Sequence, residues 1–189
     1  MGSGKNGTFD KTPDLHQWSI LCVFQHDYFR GTRLLSHDQL LEKAYGKFIA
    51  GWIKFFKGKS QTFLLEPLEG HGFWNGREVF GSLPKRCDHE GEIAVLTRAT
   101  IRLSKLGSFW KHVPKAADEM AKAEGFITSY GLGEWPWIKQ ATFSIWKNIE
   151  TMKTFAYHSH FHKEVIRKTR QENWYSEDMF VRFKVIAKF

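Results

Sequence analysis

From Glu92 to the C-terminus the hydrophobic pattern alternates between periods of two and about 3.6 residues, and this order constrains the fold more than any other feature. Ile93 to Leu103 reads as a strand, Phe109 to Glu124 as a helix, Phe126 to Leu132 and Ile138 to Trp146 as two strands, Asn148 to about Glu172 as a helix, and Met179 to Ala187 as a last strand. Such a βαββαβ order forms an antiparallel sheet with two helices on one face, the ferredoxin-like split βαβ arrangement of an α+β protein.

The first half is less regular. Trp18 to Gln25 is apolar and rich in strand formers, and it gives way to a charged, glycine-containing loop. Between His37 and about Phe56, Leu40, Leu41, Ala44, Phe48, Trp52 and Phe55 recur at helical spacings with Ser36 placed to cap the start, which predicts an amphipathic helix. Gln61 to Leu68 predicts a strand ending at Pro67. The stretch from His71 to Gly81 is turn-rich and aromatic, and Ser82 to Gly91 is a polar loop. We therefore expect a flexible segment over 1–13, a degenerate α+β half over 14–91 and the ferredoxin-like half over 92–189, within one compact unit. Two such halves facing each other would close a barrel.

The chain has 189 residues, 16% of them aromatic, with 17 Phe and 8 Trp, enough for a core and a surplus to line a pocket. No apolar run is long enough to span a membrane and the N-terminus does not read as a signal, so the expectation is a soluble, cytoplasmic protein. Cys22 and Cys87 form neither a paired framework nor a CxxC motif. The formal charge of +8 suits an acidic partner, which charge alone leaves as nucleic acid, a membrane surface contacted transiently, or an acidic electron-transfer protein. No RNA- or DNA-binding motif is present, and the basic residues are spread along the chain, so nucleic acid is not expected.

Possible metal ligands concentrate at His158, His160 and His162, in the last predicted helix or across a break in it. In a continuous helix Phe155, Ser159, His162, Ile166 and Thr169 share a face, and Phe155 and Ile166 mark it as the packed side. His162 would then point inward and His160 outward. His158 and His162 are also an i, i+4 pair, the spacing that grips one zinc or copper ion, without the glutamate of HExxH. Spacing alone leaves open a metal pair, a single ligand and a hydrogen-bonded structural histidine. Arg98 interrupts an apolar strand, where a charge is costly unless paired; it faces either a pocket or, by strand alternation, solvent. Trp110, Trp137, Phe143, Trp146 and Trp174 are candidates to line an apolar substrate pocket or to form ordinary core.

LTRATI (Leu96 to Ile101), FWKHVP (Phe109 to Pro114), GLGEWP followed by QATFSIW (Gly131 to Trp146), and FAYxxxxHxxVIRxTRxxxWYxEDxFxRFKV from Phe155 onward occur in one order over the last hundred or so residues. Together they resemble the spheroidene monooxygenase family, whose members oxygenate acyclic carotenoids. The resemblance implies a dimeric α+β barrel-type fold, one haem b and electrons from a reduced, acidic ferredoxin. It implies His162 as the iron ligand, since the histidine of HxxVIRxTR falls there, while His158 and His160 lie where the pattern is unspecific. Arg98, Arg167 and Arg170 become candidates to meet the haem propionates, with Arg98 also a candidate catalytic residue on the oxygen side. Thiolate ligation has no cysteine in a matching context. The implied activity is a haem-dependent monooxygenase acting on an apolar substrate, a carotenoid or another hydrophobic compound. The alternatives are a haem enzyme of another reaction type, dehydratase or peroxidase-like, and a non-catalytic haem-binding protein. The oligomeric state is open.

Overall fold

The computed structural model describes residues 1–4, 10–25, 28, 35–158 and 160–189, without the side chains of 158 and 160–162. Its seven strands form one sheet: β1 (Gly2–Gly4), β2 (Pro13–Trp18), β3 (Phe63–Gly72), β4 (Ile93–Ile101), β5 (Phe126–Trp135), β6 (Lys139–Trp146) and β7 (Tyr175–Lys188), in the spatial order β2-β1-β5-β6-β4-β7-β3. The helices are α1 (His37–Phe55), α2 (Leu106–Ala121), α3 (Ile149–His158) and α4 (His160–Gln171). Within the sheet β5-β6-β4-β7 is the ferredoxin-like order, with β4 antiparallel to both β6 and β7 and β5 antiparallel to β6.

The expected second half-unit takes another form. Gly2–Gly4 lies in the stretch read from sequence as a flexible N-terminus, yet it pairs with β5 through Gly2↔Gly133 and Ser3↔Leu132. Main-chain pairing to an open sheet edge needs no side-chain signal. β3 adds to the opposite edge beside β7 and runs through Pro67, which an edge strand tolerates because its outward N–H has no ladder partner to lose. Strands β1–β3 thus extend the same sheet, and the described residues contain no second sheet to close a barrel. Residues 19–25, expected to be a strand, carry no regular structure. Two compact units result, one of 1–20 with 67–184 and one of 21–66 with 185–189.

In the first unit one sheet face carries α2, α3 and α4. Ile93, Val95 and Trp146 pack with Ile149 and Met152, joined by Met120, Phe126, Phe155 and Phe180. At the other end Ile101 and Trp174 pack with Phe109, Trp110 and Val113 of α2 and Val165 of α4. The opposite face is covered by the segment 73–91. Phe80 meets the Phe183 ring edge-on at 5.1 Å, and a Cβ on Gly70 would stand 3.3 Å from the Leu83 side chain. Gly72 locks β3 to β7: its φ is +90°, and a Cβ there would fall 2.1 Å from the Asp178 carbonyl oxygen.

The second unit holds α1. Ser36 caps it with a reciprocal box, its hydroxyl accepting from the Gln39 amide at 3.3 Å and its own amide donating to Gln39 Oε1 at 2.9 Å. Leu40 and Leu41 are buried. The single apolar face expected from spacing does not persist, because Gly46 adopts φ 79° and ψ 164° and kinks the helix. Beyond the kink Phe48, Trp52 and Phe55 face outward. No helix among the described residues is long and apolar enough to cross a membrane.

Candidate functional site

Directly paired residues on antiparallel strands share a face, and residues two apart on one strand do too. Thr97 lies two positions beyond Val95 and opposite both Thr142 and Phe180, so all three point toward the helices. Gly131 pairs with Thr142, and the exposed His71 stacks on Phe180 with ring centroids 5.7 Å apart. A row therefore crosses five strands on the helix side: Gly131, Thr142, Thr97, Phe180, His71. It lies between the two apolar clusters, and Thr97, although on a strand paired on both sides, is exposed. The helix layer leaves a window over the middle of the sheet.

Arg182 borders this row. It pairs across from Val95, is 6% exposed, forms an ion pair with the buried Glu69, and places its guanidinium 5.1 Å from the Phe180 ring. Glu69 also accepts from the Cys87 amide at 2.6 Å. The Arg182 Nε has no partner among the described residues, which leaves one buried cationic donor unused.

Arg98 belongs to the opposite face. It pairs across from Met179 and Ala141, and it is 1% exposed, so the solvent-facing alternative does not hold. Its guanidinium donates to Glu177 at 2.5 Å, to Glu134 at 2.9 Å and to Asn75 at 2.9 Å, and it lies 5.1 Å from the Trp74 ring. Asn75 and Gly76 form the tip of a tight turn closed by Trp74 and Arg77, with Asn75 at φ 52°. Both tip amides donate to Glu177, at 2.9 and 2.6 Å. Burial raises the Glu177 carboxyl pKa, but these two amides and Arg98 outweigh it and hold the group below the ordinary carboxylate range. Lys139 donates to Asn75 Oδ1 at 2.7 Å, so two cations and two carboxylates balance within one cluster.

The structure therefore separates residues that the sequence grouped. Arg98 lies behind the sheet from α4, the helix that carries His162. The imidazoles of His158, His160 and His162 lie outside the described residues, as does Ser159, which separates α3 from α4; the face that His162 presents is therefore not described. Arg167 and Arg170 are exposed on α4, and Arg167 bonds to Gln171 at 2.8 Å. Trp110 and Trp174 share one cluster and Trp146 sits in the other, while Phe143 stacks with Tyr130 on the far face and Trp137 is 54% exposed. These five do not line one pocket.

Thr97, His71 and Arg182 escaped the sequence reading. Arg182 carried the same signal as Arg98, a cation inside an apolar strand. His112 also went unmarked; it sits on α2 against Trp174 at 5.3 Å, with Nδ1 2.7 Å from the Ser108 carbonyl and Nε2 3.5 Å from Lys168 Nζ. Among the described residues no three His, Cys, Asp or Glu side chains converge as a metal site. Both cysteines are free thiols.

No family model matches the chain. It is similar to the spheroidene monooxygenases of Cereibacter sphaeroides, 32% identical over 99% of this chain and 55% of that protein, and of Rubrivivax gelatinosus, 37% identical over 97% of this chain and 66% of that protein. The Rhodobacter capsulatus spheroidene monooxygenase is 28% identical over 98% and 73%. The chain spans between about half and three quarters of the length of these relatives. Among solved structures, a cofactor-independent oxygenase from Streptomyces nogalater is similar over 51% of this chain and 95% of its own, at 14% identity and TM-score 0.42. A conserved protein from Methanosarcina mazei is similar over 50% and 93%, at 16% identity and TM-score 0.44.

Proposed function

The chain belongs to the spheroidene monooxygenase family, and from that premise we propose that it is a haem-dependent monooxygenase that inserts oxygen from O2 into an apolar substrate, a carotenoid or a similar polyene. One observation carries the proposal: the similarity to three spheroidene monooxygenases runs over nearly the whole chain.

The window on the helix side fits a flat prosthetic group. Its floor is the exposed Thr97 with the half-buried Thr142 and Phe180 beside it, none of them charged, and the unused Nε of Arg182 is a buried donor suited to a carboxylate. In this reading His162 would hold the haem iron through its imidazole, and Arg182 with the α4 residues Arg167 and Arg170 would meet the propionates. When bound, haem would supply dioxygen activation. The chain's own part would be to present the His162 imidazole to the iron and to border the group with Phe180 and the two apolar clusters. Arg98 holds the Trp74–Arg77 turn against the sheet, a supporting role at a distance from α4. A basic surface suits an acidic electron donor such as a reduced ferredoxin.

The test is the absorption spectrum of protein produced with haem supply, repeated for His162→Ala. The expected results are a Soret band that the substitution shifts or abolishes and, with reductant and substrate, O2 consumption with a product heavier by one oxygen. No Soret band in the wild type would reject the haem. A Soret band with no product would favour a carrier, and product without added oxygen would favour a dehydratase.

A further inference from the structure

The second unit carries a feature that oxygen chemistry does not use. Past the kink at Gly46, α1 presents Phe48, Trp52, Phe55 and Phe56 at 82%, 42%, 79% and 62% exposure. Their spacing of i, i+4, i+7 and i+8 puts the four on one side of the helix, while Ile49 and Ile53 turn to the half-buried side. Phe56 meets Trp52 and Phe55 edge-on at 5.1 and 5.0 Å, so the rings form a continuous apolar ridge. An exposed contiguous ridge of this kind marks an interaction surface.

Charge identifies the partner. Lys47 and Lys54 lie roughly 100–120° around the helix from Phe48 at about 100° per residue. Lys57 and Lys59 follow the helix, all four lysines are exposed, and no acidic residue occurs between Glu42 and Glu66. An aromatic ridge bordered on one side by lysines, with no carboxylate to relieve the charge, matches a helix lying in a membrane interface. The rings enter the acyl boundary and the ammonium groups reach anionic phosphates. We propose that residues 47–59 dock the protein on an anionic lipid bilayer. An apolar polyene substrate would dissolve in the same phase; that link rests on the oxygenase reading, and the docking itself does not.

Flotation with vesicles of equal parts phosphatidylcholine and phosphatidylglycerol tests this. The wild type should float with them and bind about fivefold or more weakly to phosphatidylcholine alone or in about 0.5 M salt. Phe48→Ser with Phe55→Ser, and Lys47→Glu with Lys54→Glu, should each lower the bound fraction about tenfold with an unchanged circular dichroism spectrum. Wild type that stays unbound, or double variants that float like it, would overturn the proposal. So would a wild-type dimer that the phenylalanine variant splits while vesicles bind nothing. If a double variant misfolds, quenching of wild-type tryptophan emission by brominated lipid in the same vesicles decides: quenching that Trp52→Phe diminishes supports docking, and no quenching rejects it. With substrate dispersed in detergent the double variants should keep the wild-type oxygenation rate, and with substrate in vesicles they should slow. A docking failure is thereby distinguishable from failure of the oxygenase reading.

Discussion

Removing the buried Arg98 guanidinium would leave the partly exposed Glu134 and Glu177 side by side with Lys139 as the remaining cation nearby, and would free the turn that Asn75 anchors. Arg98→Met should cost about 3 kcal/mol in urea unfolding, since breaking a buried pair costs more than the pair contributes. Glu177 tests the same cluster by pH. Its folded pKa is held below the unfolded value, so its stabilisation is complete above about 4.5 and disappears as pH falls through the depressed value. Glu177→Gln should flatten the acid limb of the stability–pH curve and leave the neutral region less stable than wild type. Tyr175 works in the opposite sense. Burial pushes its phenol up to about 12, against a bond to Thr169 that lowers it, so its contribution is present below pH 10 and fades toward 12. Tyr175→Phe should weaken that alkaline transition. The sequence singled out Arg98 because a charge in an apolar strand demands partners, but its partners lie 23, 36 and 79 positions away. No local pattern reports such distances, so the face it occupies could not be read.

At the level of elements, the period of the apolar residues located β4, α2, β5, β6 and β7 to within a few residues, because each buries one face against a regular neighbour. It failed where burial has another cause. The segment 73–91 has no period, yet Phe80 and the side chain of Leu83 cover the far face of the sheet. Phe80→Ala should cost about 2 kcal/mol and speed proteolysis within 73–91, measured by limited digestion and denaturant titration. Gly72→Ala is expected to be worse, because its Cβ would meet the Asp178 backbone, which cannot move aside without opening β3 from β7. Expression as a soluble, cooperatively unfolding variant would contradict that close approach. The helix predicted from Asn148 to Glu172 is helical over Ile149–His158 and His160–Gln171, and Ser159 between them lies outside the described residues.

For the molecule as a whole, the formal charge of +8 bears on encounter rather than on fold. If an acidic ferredoxin supplies electrons, the second-order reduction rate should fall several-fold between about 50 and 500 mM salt, while the detergent-assayed turnover at saturating donor stays level. A rate indifferent to salt would point to another donor. Composition allowed such a partner without choosing it, and the family motifs, not the charge, supplied the choice. The window over Thr97 was not legible at all: the strands beneath it were, save the end of β3 that carries His71, but an opening is a property of what the helices leave uncovered.

That opening also shapes how the protein comes apart. Met152 and Phe155 of α3 contribute to one apolar cluster and Val165 of α4 to the other, and α2 reaches both, through Phe109, Trp110 and Val113 at one end and Met120 at the other. The ferredoxin-like unit is in effect two small cores on a common sheet, with α2 packed on both. Amide exchange should therefore reveal two blocks of α-helical protection that open independently, and any occupant of the space between them would merge the two into one cooperative transition.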